Sequence, residues 1–471
     1  MPERRQQILF VSTDIIGSDM AGPGIRAWEL AHALAARCVV TLAAPDSATP
    51  PHSAAIRVLP YRSGQAGALT PALAAADVVV GQGFVFERQP ELLACDLPLA
   101  IDLYDPLIIE GLDLYASAEL AVAEAQHVRY QALTEAQLRR GDFFFCATEP
   151  QRDYWLGALT GGGRLNPAVV RAADRELQQV IGLVPSGIAP SLPAATTPPA
   201  LRGTHPALGS DAIIALWAGG LWEWFDPQLL VRALAALRDT CPRLRLVFFA
   251  GARPNPDGPP ITTRLRTETE ALAAELGVLD QSVIFLDRWV PYAARGALLA
   301  DADIGVSAHL PGIETHFAFR TRLLDYMWAR LPVLCTAGDS LGAAFAAAGC
   351  ARQVPPYDLA GWAAAFRQLY EQAETRQQMR SAAHVLADQW TWEKVAQPLL
   401  AFCTNPHRLP AITPAANPRA AELEAALAER GRYVAHVEHE YQRAVAVLHQ
   451  QQRGIMARLR QRLRAGRKHG T

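Results

Sequence analysis

Short, almost wholly apolar strands that alternate with helices predict an α/β chain of two doubly wound domains facing a cleft, with a helical tail behind them. Three observations carry this expectation. The strands are apolar on both faces, as in parallel sheets covered by helices on each side. A strand, a glycine-containing loop and a helix follow one another twice, over residues 8–36 and again from residue 213. Beyond residue 404 the α/β pattern stops, proline recurs through 405–418, and a long helical period begins.

In the first domain, 1–188, residues 8–13 form a continuous apolar strand, and the loop 15–24 carries Gly17, Gly22 and Gly24. Residues 25–36 then keep helical period and 39–42 return as a strand. This is a βαβ unit whose loop lies at a helix N-terminus, where unpaired N–H groups and the helix dipole favour an anion. Arg26 in the first turn either joins that site or forms a salt bridge. Further strands are expected at 56–59, 78–80, 99–103 and 143–146, with helical material at 116–139. Asp102 and Asp105 stand at the carboxyl edge of the strand 99–103, where ligands of open parallel sheets bind. Asp105 could equally cap the turn that Pro106 begins.

Residues 183–188 close the first half, and the Pro/Ala/Thr-rich stretch 189–206 reads as a mobile surface connection. The second domain, 207–404, offers strands at 213–217, 244–250, 283–286, 304–307 and 333–335. Its first loop contains Gly219 and Gly220, then Asp226 and Pro227 as N-cap and first helical residue. Between its last two strands lies the densest constellation of the chain, a loop and a helix over 312–332. There Leu323, Leu324, Met327 and Trp328 share one face, while Glu314, His316, Arg320, Arg322 and Asp325 gather at the front end and opposite face. Two arginines at a helix N-terminus suit an anionic ligand.

Composition narrows the function. The chain has 471 residues, enough for two or three domains, with 50% hydrophobic and 19% charged residues. A formal net charge of −2 gives no general attraction to nucleic acid, which is not expected as a partner. Seven cysteines are scattered singly, without a Cys-x-x-Cys pair, as in a reduced protein without a zinc site. No apolar stretch approaches 18 residues and the chain starts without a secretory pattern, so a soluble cytoplasmic protein is expected. Asp301 and Asp303 read as capping and turn residues, no metal site is expected, and activity should survive chelation.

In the tail, 417–465, Leu427, Val434, Tyr441, Leu448 and Ile455 recur every seven residues against a mostly polar companion row, half of a coiled-coil pattern. Near its end Arg453, Arg458, Arg460, Arg462, Arg464, Arg467 and Lys468 follow without an acid after Glu440. Such a segment suits either self-association or peripheral contact with the inner face of a cell membrane.

Two α/β halves, the Val-Pro-Ser-Gly-Ile hinge at 184–188, the Trp-Ala-Gly-Gly loop at 217–220 and Asp325-Tyr-Met-Trp-Ala-Arg-Leu-Pro-Val333 resemble the GT-B glycosyltransferases, in particular the retaining, glycogen-synthase-like family four. The resemblance runs over about residues 8–403. It implies two Rossmann-like domains and transfer of a sugar from a nucleotide diphosphate sugar, as co-substrate without a further cofactor, to a hydroxyl of a glycan or lipid-linked acceptor, with retention of configuration. On the donor side it implies Asp325 at the ribose hydroxyls, Gly219 and Gly220 at the diphosphate, and Trp289, in the loop 287–292, and His316 as further contacts. Gly22, Gly24, Arg26 and Asp105 fall on the acceptor side.

Three departures from the family pattern matter. The family's first glutamate falls on Phe317, with Glu314 the nearest acid. The Arg and Lys that usually follow the second glycine loop are replaced by Leu221, Trp222, Glu223 and Trp224, leaving Arg320 and Arg322 as the expected charge at the leaving diphosphate. The histidine common at the end of the strand 99–103 is replaced by Tyr104 and Asp105. Alternative readings are a non-catalytic nucleotide-sugar-binding scaffold protein and a GT-B-like nucleotide-sugar epimerase.

Overall fold

The computed structural model describes residues 4–46, 52–249, 251, 263–410, 422–423, 425–430, 433 and 437. The chain divides into a unit running to Pro410 and a second from Ala411. In the second unit the described residues are helical. The rest of the tail expectation, including the basic run from Arg453 to Lys468, lies outside the described residues.

The first unit holds two sheets, each wholly parallel. One contains β1 (Gln7–Val11), β2 (Val39–Pro45), β3 (Arg57–Tyr61), β4 (Val78–Gln82), β5 (Leu99–Asp102), β6 (Phe143–Cys146) and β7 (Ile181–Leu183) in the order β3-β2-β1-β4-β5-β6-β7. The other contains β8 (Ile213–Ala218), β9 (Leu244–Phe249), β10 (Val283–Phe285), β11 (Ile304–Ser307), β12 (Val333–Thr336) and β13 (Ala351–Val354) in the order β10-β9-β8-β11-β12-β13. Strands β7 and β13 were not anticipated: β7 is only three residues long, and in β13 Arg352 and Gln353 interrupt the apolar run that marks the others.

Alternate residues of each central strand enter different cores, which is why the strands are apolar throughout. Ile8 and Phe10 pack on one side of the first sheet and Leu9 and Val11 on the other. Ala215 and Trp217 are likewise separated from Ile214 and Leu216 in the second sheet. In both sheets the order reverses next to the first strand, between β1 and β4 and between β8 and β11. The crevice outside the strand ends at such a reversal is where open α/β sheets bind ligands.

Two crossings join the halves. Ile188 N–H donates to Trp390 O at 2.8 Å, and Trp392 N–H returns to Ile188 O at 3.2 Å. Gly187 permits this approach, since a Cβ there would lie 2.8 Å from the Trp392 backbone. After crossing, the helices Trp392–Val395 and Gln397–Thr404 bury Leu399, Phe402 and Cys403 in the core of the first sheet. The stretch 189–206 is not the loose connection its composition suggests. Leu201 is fully buried, and the N–H groups of Leu201 and Arg202 both donate to Asp301 Oδ2 at 2.8 Å.

The helix Thr321–Trp328 packs on the second sheet through Leu323, Leu324 and Met327 and is hydrogen-bonded to it through Tyr326. Tyr326 places its hydroxyl 2.8 Å from the carbonyls of Leu216 and Val306 and accepts from Ala218 N–H at 2.9 Å. Its ring lies against Gly305, where an added Cβ would stand 2.3 Å from Tyr326 Cγ. Removing the hydroxyl leaves buried backbone groups without a partner, at about 1–3 kcal/mol per orphaned group. Tyr326→Phe is therefore expected to lower unfolding stability by about 2–4 kcal/mol, as measured by urea denaturation. A loss below about 0.5 kcal/mol would show that the hydroxyl is not the anchor.

Candidate active site

On the second domain the site begins where β8 ends. Gly219 has φ +120°, a left-handed conformation that suits glycine, and turns the chain toward Gly220. The loop is joined to the one after β11: Asp226 N–H donates to Ala308 O, and Leu310 N–H donates to Trp224 O, both at 3.0 Å. As the sequence suggests, Asp226 caps the helix Pro227–Leu237, accepting from Leu229 N–H at 3.1 Å.

Arg322 sits in the aromatic corner of this loop. Its guanidinium carbon is 4.2 Å from the Trp217 ring centre and 4.0 Å from that of Phe225. Nη2 donates to Gly220 O at 2.9 Å, whereas the buried Nη1 has no protein partner. Burial pulls its pKa down to about 10, so it remains charged at neutral pH. A cation fixed against two rings beside a glycine loop is preorganised for an anion.

Arg320 is placed differently from the expected open phosphate ligand. Only 5% exposed, it forks onto Glu314 with bonds of 2.8 and 2.6 Å and also reaches Thr315 Oγ1 at 3.2 Å. Both Glu314 oxygens are thereby engaged, while burial raises the Glu314 pKa against the pull of Arg320. A pair this buried holds geometry more than it adds stability. His316 is exposed and packs edge-on against Phe317, with ring centres 4.8 Å apart. Asp325 is paired with Arg295 at 3.1 Å, and its pKa is raised by burial and opposed by Arg295 and Arg322. Trp289 donates its indole N–H to Ser18 O at 3.2 Å, across to the loop after β1.

His309 was not selected from sequence, although it ends the strand run 303–309. It is 2% exposed, with the Ala337 backbone as a polar neighbour of its ring. Burial, aided by Arg320 and Arg322, lowers its pKa to about 3 and keeps it neutral.

On the first domain Gly22 begins the helix Gly22–Ala35, which no side chain caps. Gly24 is required by packing, since a Cβ there would lie 2.8 Å from Ile15 O. Arg26 is buried at 2% exposure, not open at the loop. Its Nε donates to Asp102 Oδ2 at 2.6 Å, and Nη2 donates to Asp102 Oδ1 at 3.1 Å and to Val184 O at 2.7 Å. Of the two readings of Arg26, the geometry gives the salt bridge. Asp105 accepts from Gln82 Nε2 at 3.1 Å. Burial and then the Asp102 charge push its pKa up to about 7.

The halves meet beside these groups. Tyr104 donates to Phe319 O at 3.2 Å, Gln151 Nε2 donates to Phe317 O at 2.7 Å, and Tyr154 packs on Phe317 with ring centres 5.2 Å apart. Phe317, standing where the family pattern has an acid, thus serves the contact between domains. Asp301 and Asp303 are occupied structurally: Arg202 pairs with each at 2.6 Å, and Ile214 N–H donates to Asp303 at 2.9 Å. Among the described residues no group of three His, Cys, Asp or Glu side chains is placed to hold a metal.

Residues 212–372 match the family model for glycosyl transferases group 1. The structure also superposes on sucrose-phosphate synthase from Thermosynechococcus elongatus with TM-score 0.59 and 17% identity, covering 84% of this chain and 97% of that one. The fold is GT-B. Anabaena HepE in complex with UDP-glucose gives TM-score 0.57 at 14% identity, over 84% of this chain and 98% of the other. In sequence, the D-inositol 3-phosphate glycosyltransferase of Stackebrandtia nassauensis is 28% identical over 215 residues, 45% of this chain. The match spans 46%, about half, of that relative's length. Arg322, Gly219 and Asp325 stand by the reversal of the second sheet, and Asp105 stands past the end of β5 in the first.

The Asp105 shift has a measurable sign. Its folded pKa, near 7, lies above the unfolded value near 3.9, so the folded state holds the proton longer and stability falls as pH rises between the two. Asp105→Asn should raise the melting temperature at pH 8 and leave it nearly unchanged at pH 3.5. Equal shifts at both pH values would remove the buried carboxylate as the cause.

Proposed function

We propose that this protein transfers a sugar from a nucleotide diphosphate sugar to an acceptor hydroxyl with retention of configuration, in the synthesis of a cell-surface glycan or glycolipid. The observation that carries the reading is Arg322, a buried cation held by Trp217, Phe225 and Gly220 O beside the Gly219 turn, at the reversal point of the donor-side sheet. In glycosyl transfer the barrier is set by negative charge growing on the departing diphosphate, and fixed positive charge and oriented N–H groups lower it most effectively. The group 1 domain over residues 212–372 and the HepE complex with UDP-glucose support a nucleotide-sugar donor.

In this reading Arg322 and the N–H groups around Gly219 and Gly220 receive the diphosphate, and Asp325 accepts from the ribose hydroxyls once Arg295 yields part of its contact. Neutral His309 stands close enough to both arginines to feel their charge and offers one donor and one acceptor to the donor molecule. Arg320 and Glu314 act as a locked pair that sets the front of the helix Thr321–Trp328, in place of two free ligands. The leaving phosphate takes the acceptor proton on the face it departs from, so no protein nucleophile is required and no step passes through a metal.

Among the described residues no helix is long and apolar enough to cross a membrane. The basic tail is proposed as the element that brings the enzyme to an anionic inner membrane surface near its acceptor, or that pairs two copies.

A donor panel tests the reading. UDP-, GDP- and ADP-sugars, each at a hundred times its dissociation constant, would add about 2.7 kcal/mol to folding stability, visible as a thermal shift. Arg322→Ala is expected to lower turnover about 100- to 1,000-fold, with only partial rescue by Arg322→Lys, which loses the planar fork. Wild-type turnover in Arg322→Ala, or isomerised donor in place of a glycoside, would overturn the proposal.

A further inference from the structure

At the edge of the second sheet opposite to Arg322, a cavity of about 140 Å³ lies between the amino ends of β9 and β10 and the last turn of the helix Pro227–Leu237. Strand β9 spans roughly 17 Å at about 3.3 Å per residue, so the cavity is remote from the Gly219 turn. Leu234, Leu237 and Val278 supply an apolar part of its lining. Beside them stand Arg238, Arg245, Gln281 and Ser282, and among the described residues no Asp or Glu lines it.

Arg245 is built into the wall. Its Nε donates to Ala207 O at 2.8 Å, and Nη1 donates to Pro242 O at 2.8 Å and to Leu244 O at 2.9 Å. These bonds fix the guanidinium, and among the described residues Nη2 has no acceptor. Exposed Asp211 attracts Arg245 through space without a hydrogen bond. Arg238 is exposed, and its carboxylate neighbour, Asp239 at 3.9 Å, is 92% exposed, so water screens that pair. The Ser282 hydroxyl is buried without a partner, although its N–H donates to Val278 O at 3.1 Å and its carbonyl accepts from Leu246 N–H at 2.8 Å. A helix carbonyl end opposes an anion, but here Leu237 O already accepts from the N–H groups of Thr240 and Cys241 at 3.1 and 2.7 Å. Two guanidinium charges match a dianion, and a phosphate monoester offers them three terminal oxygens where a carboxylate offers two and a single charge. The volume is about ten times the roughly 10–15 Å³ that one water requires, which leaves room for a short carbon body beside the phosphate.

We propose that this cavity is a second ligand site, separate from the cleft, that binds a small phosphate monoester, with the phosphate between Arg238 and Arg245 and the carbon body against Leu234, Leu237 and Val278. The Ser282 hydroxyl donates to the phosphate and so gains the partner it lacks in the free protein. The site does not depend on what the cleft binds.

The test is calorimetric titration of the full chain with glycerol 3-phosphate, ribose 5-phosphate and glucose 6-phosphate, beside glycerol, ribose, glucose, inorganic phosphate and acetate. At least one ester should bind about tenfold or more tightly than inorganic phosphate, acetate and its own unphosphorylated body. Arg238→Glu and Gln281→Glu, both at exposed positions, should each weaken that binding about tenfold, while Arg322→Ala leaves it within about threefold. Ser282→Ala separates the ligand from the scaffold. It should weaken the ester about threefold or more without lowering the melting temperature of the free protein, because the hydroxyl has no partner to lose. No ester binding, binding no tighter than that of inorganic phosphate or acetate, binding that survives both acidic substitutions, or binding lost with Arg322→Ala would each overturn the proposal.

Discussion

The Tyr326 hydroxyl, shared among the Leu216 and Val306 carbonyls and the Ala218 N–H, is the contact on which the second-domain site depends. It ties the helix Thr321–Trp328 to the two strands flanking the sheet reversal, immediately below the Gly219 turn. Gly305 supplies the room, because a methyl group there would collide with the ring. With that helix fixed, Arg322 can meet Trp217, Phe225 and Gly220 O, and Asp325 can meet Arg295. The arginine is thus placed by packing that a ligand need not reorganise.

The two walls of the cleft differ in electrostatic character. The second-domain side keeps Arg322 against two rings with a buried Nη1 that has no protein partner, a neutral histidine, and an Arg320 that is locked to Glu314 and lies 5.0 Å from the Phe225 ring centre. The first-domain side pairs Arg26 with Asp102 and leaves Asp105 facing a largely apolar cavity. Between them Tyr104, Gln151 and Tyr154 meet the backbone and ring of the segment 317–319, so the segment leading into the helix Thr321–Trp328 also touches the first domain. Arg26 extends this coupling to the hinge through its bond to Val184 O.

The fold was legible because burial on both faces leaves long apolar runs, and because glycine loops and Asp-Pro caps punctuate them. Strand β7 escaped because it is short, and β13 because Arg352 and Gln353 break that run. Partnership was harder to read. An arginine in a first helical turn looks the same in sequence whether it meets a phosphate or a carboxylate seventy-six positions away, as Arg26 meets Asp102. Arg320 and Glu314, six positions apart, carried the same ambiguity. The stretch 189–206 has the composition of a linker, and only the tertiary pairing of Arg202 with Asp301 and Asp303 docks it. Tyr326 and His309 were overlooked for a related reason: each lies within an apolar pattern, and its polar atoms acquire meaning only once the neighbouring strands are in place.

The central claim is that Arg322 and the Gly219–Gly220 turn receive the diphosphate of the donor. A crystal structure of the full chain with UDP addresses it directly. The account predicts a phosphate oxygen within about 3 Å of Arg322 Nη1 and of a backbone N–H of the turn, with the Glu314–Arg320 pair intact. A diphosphate bound by Arg320 after that pair has opened, or lying against the first domain without touching Arg322, would contradict it.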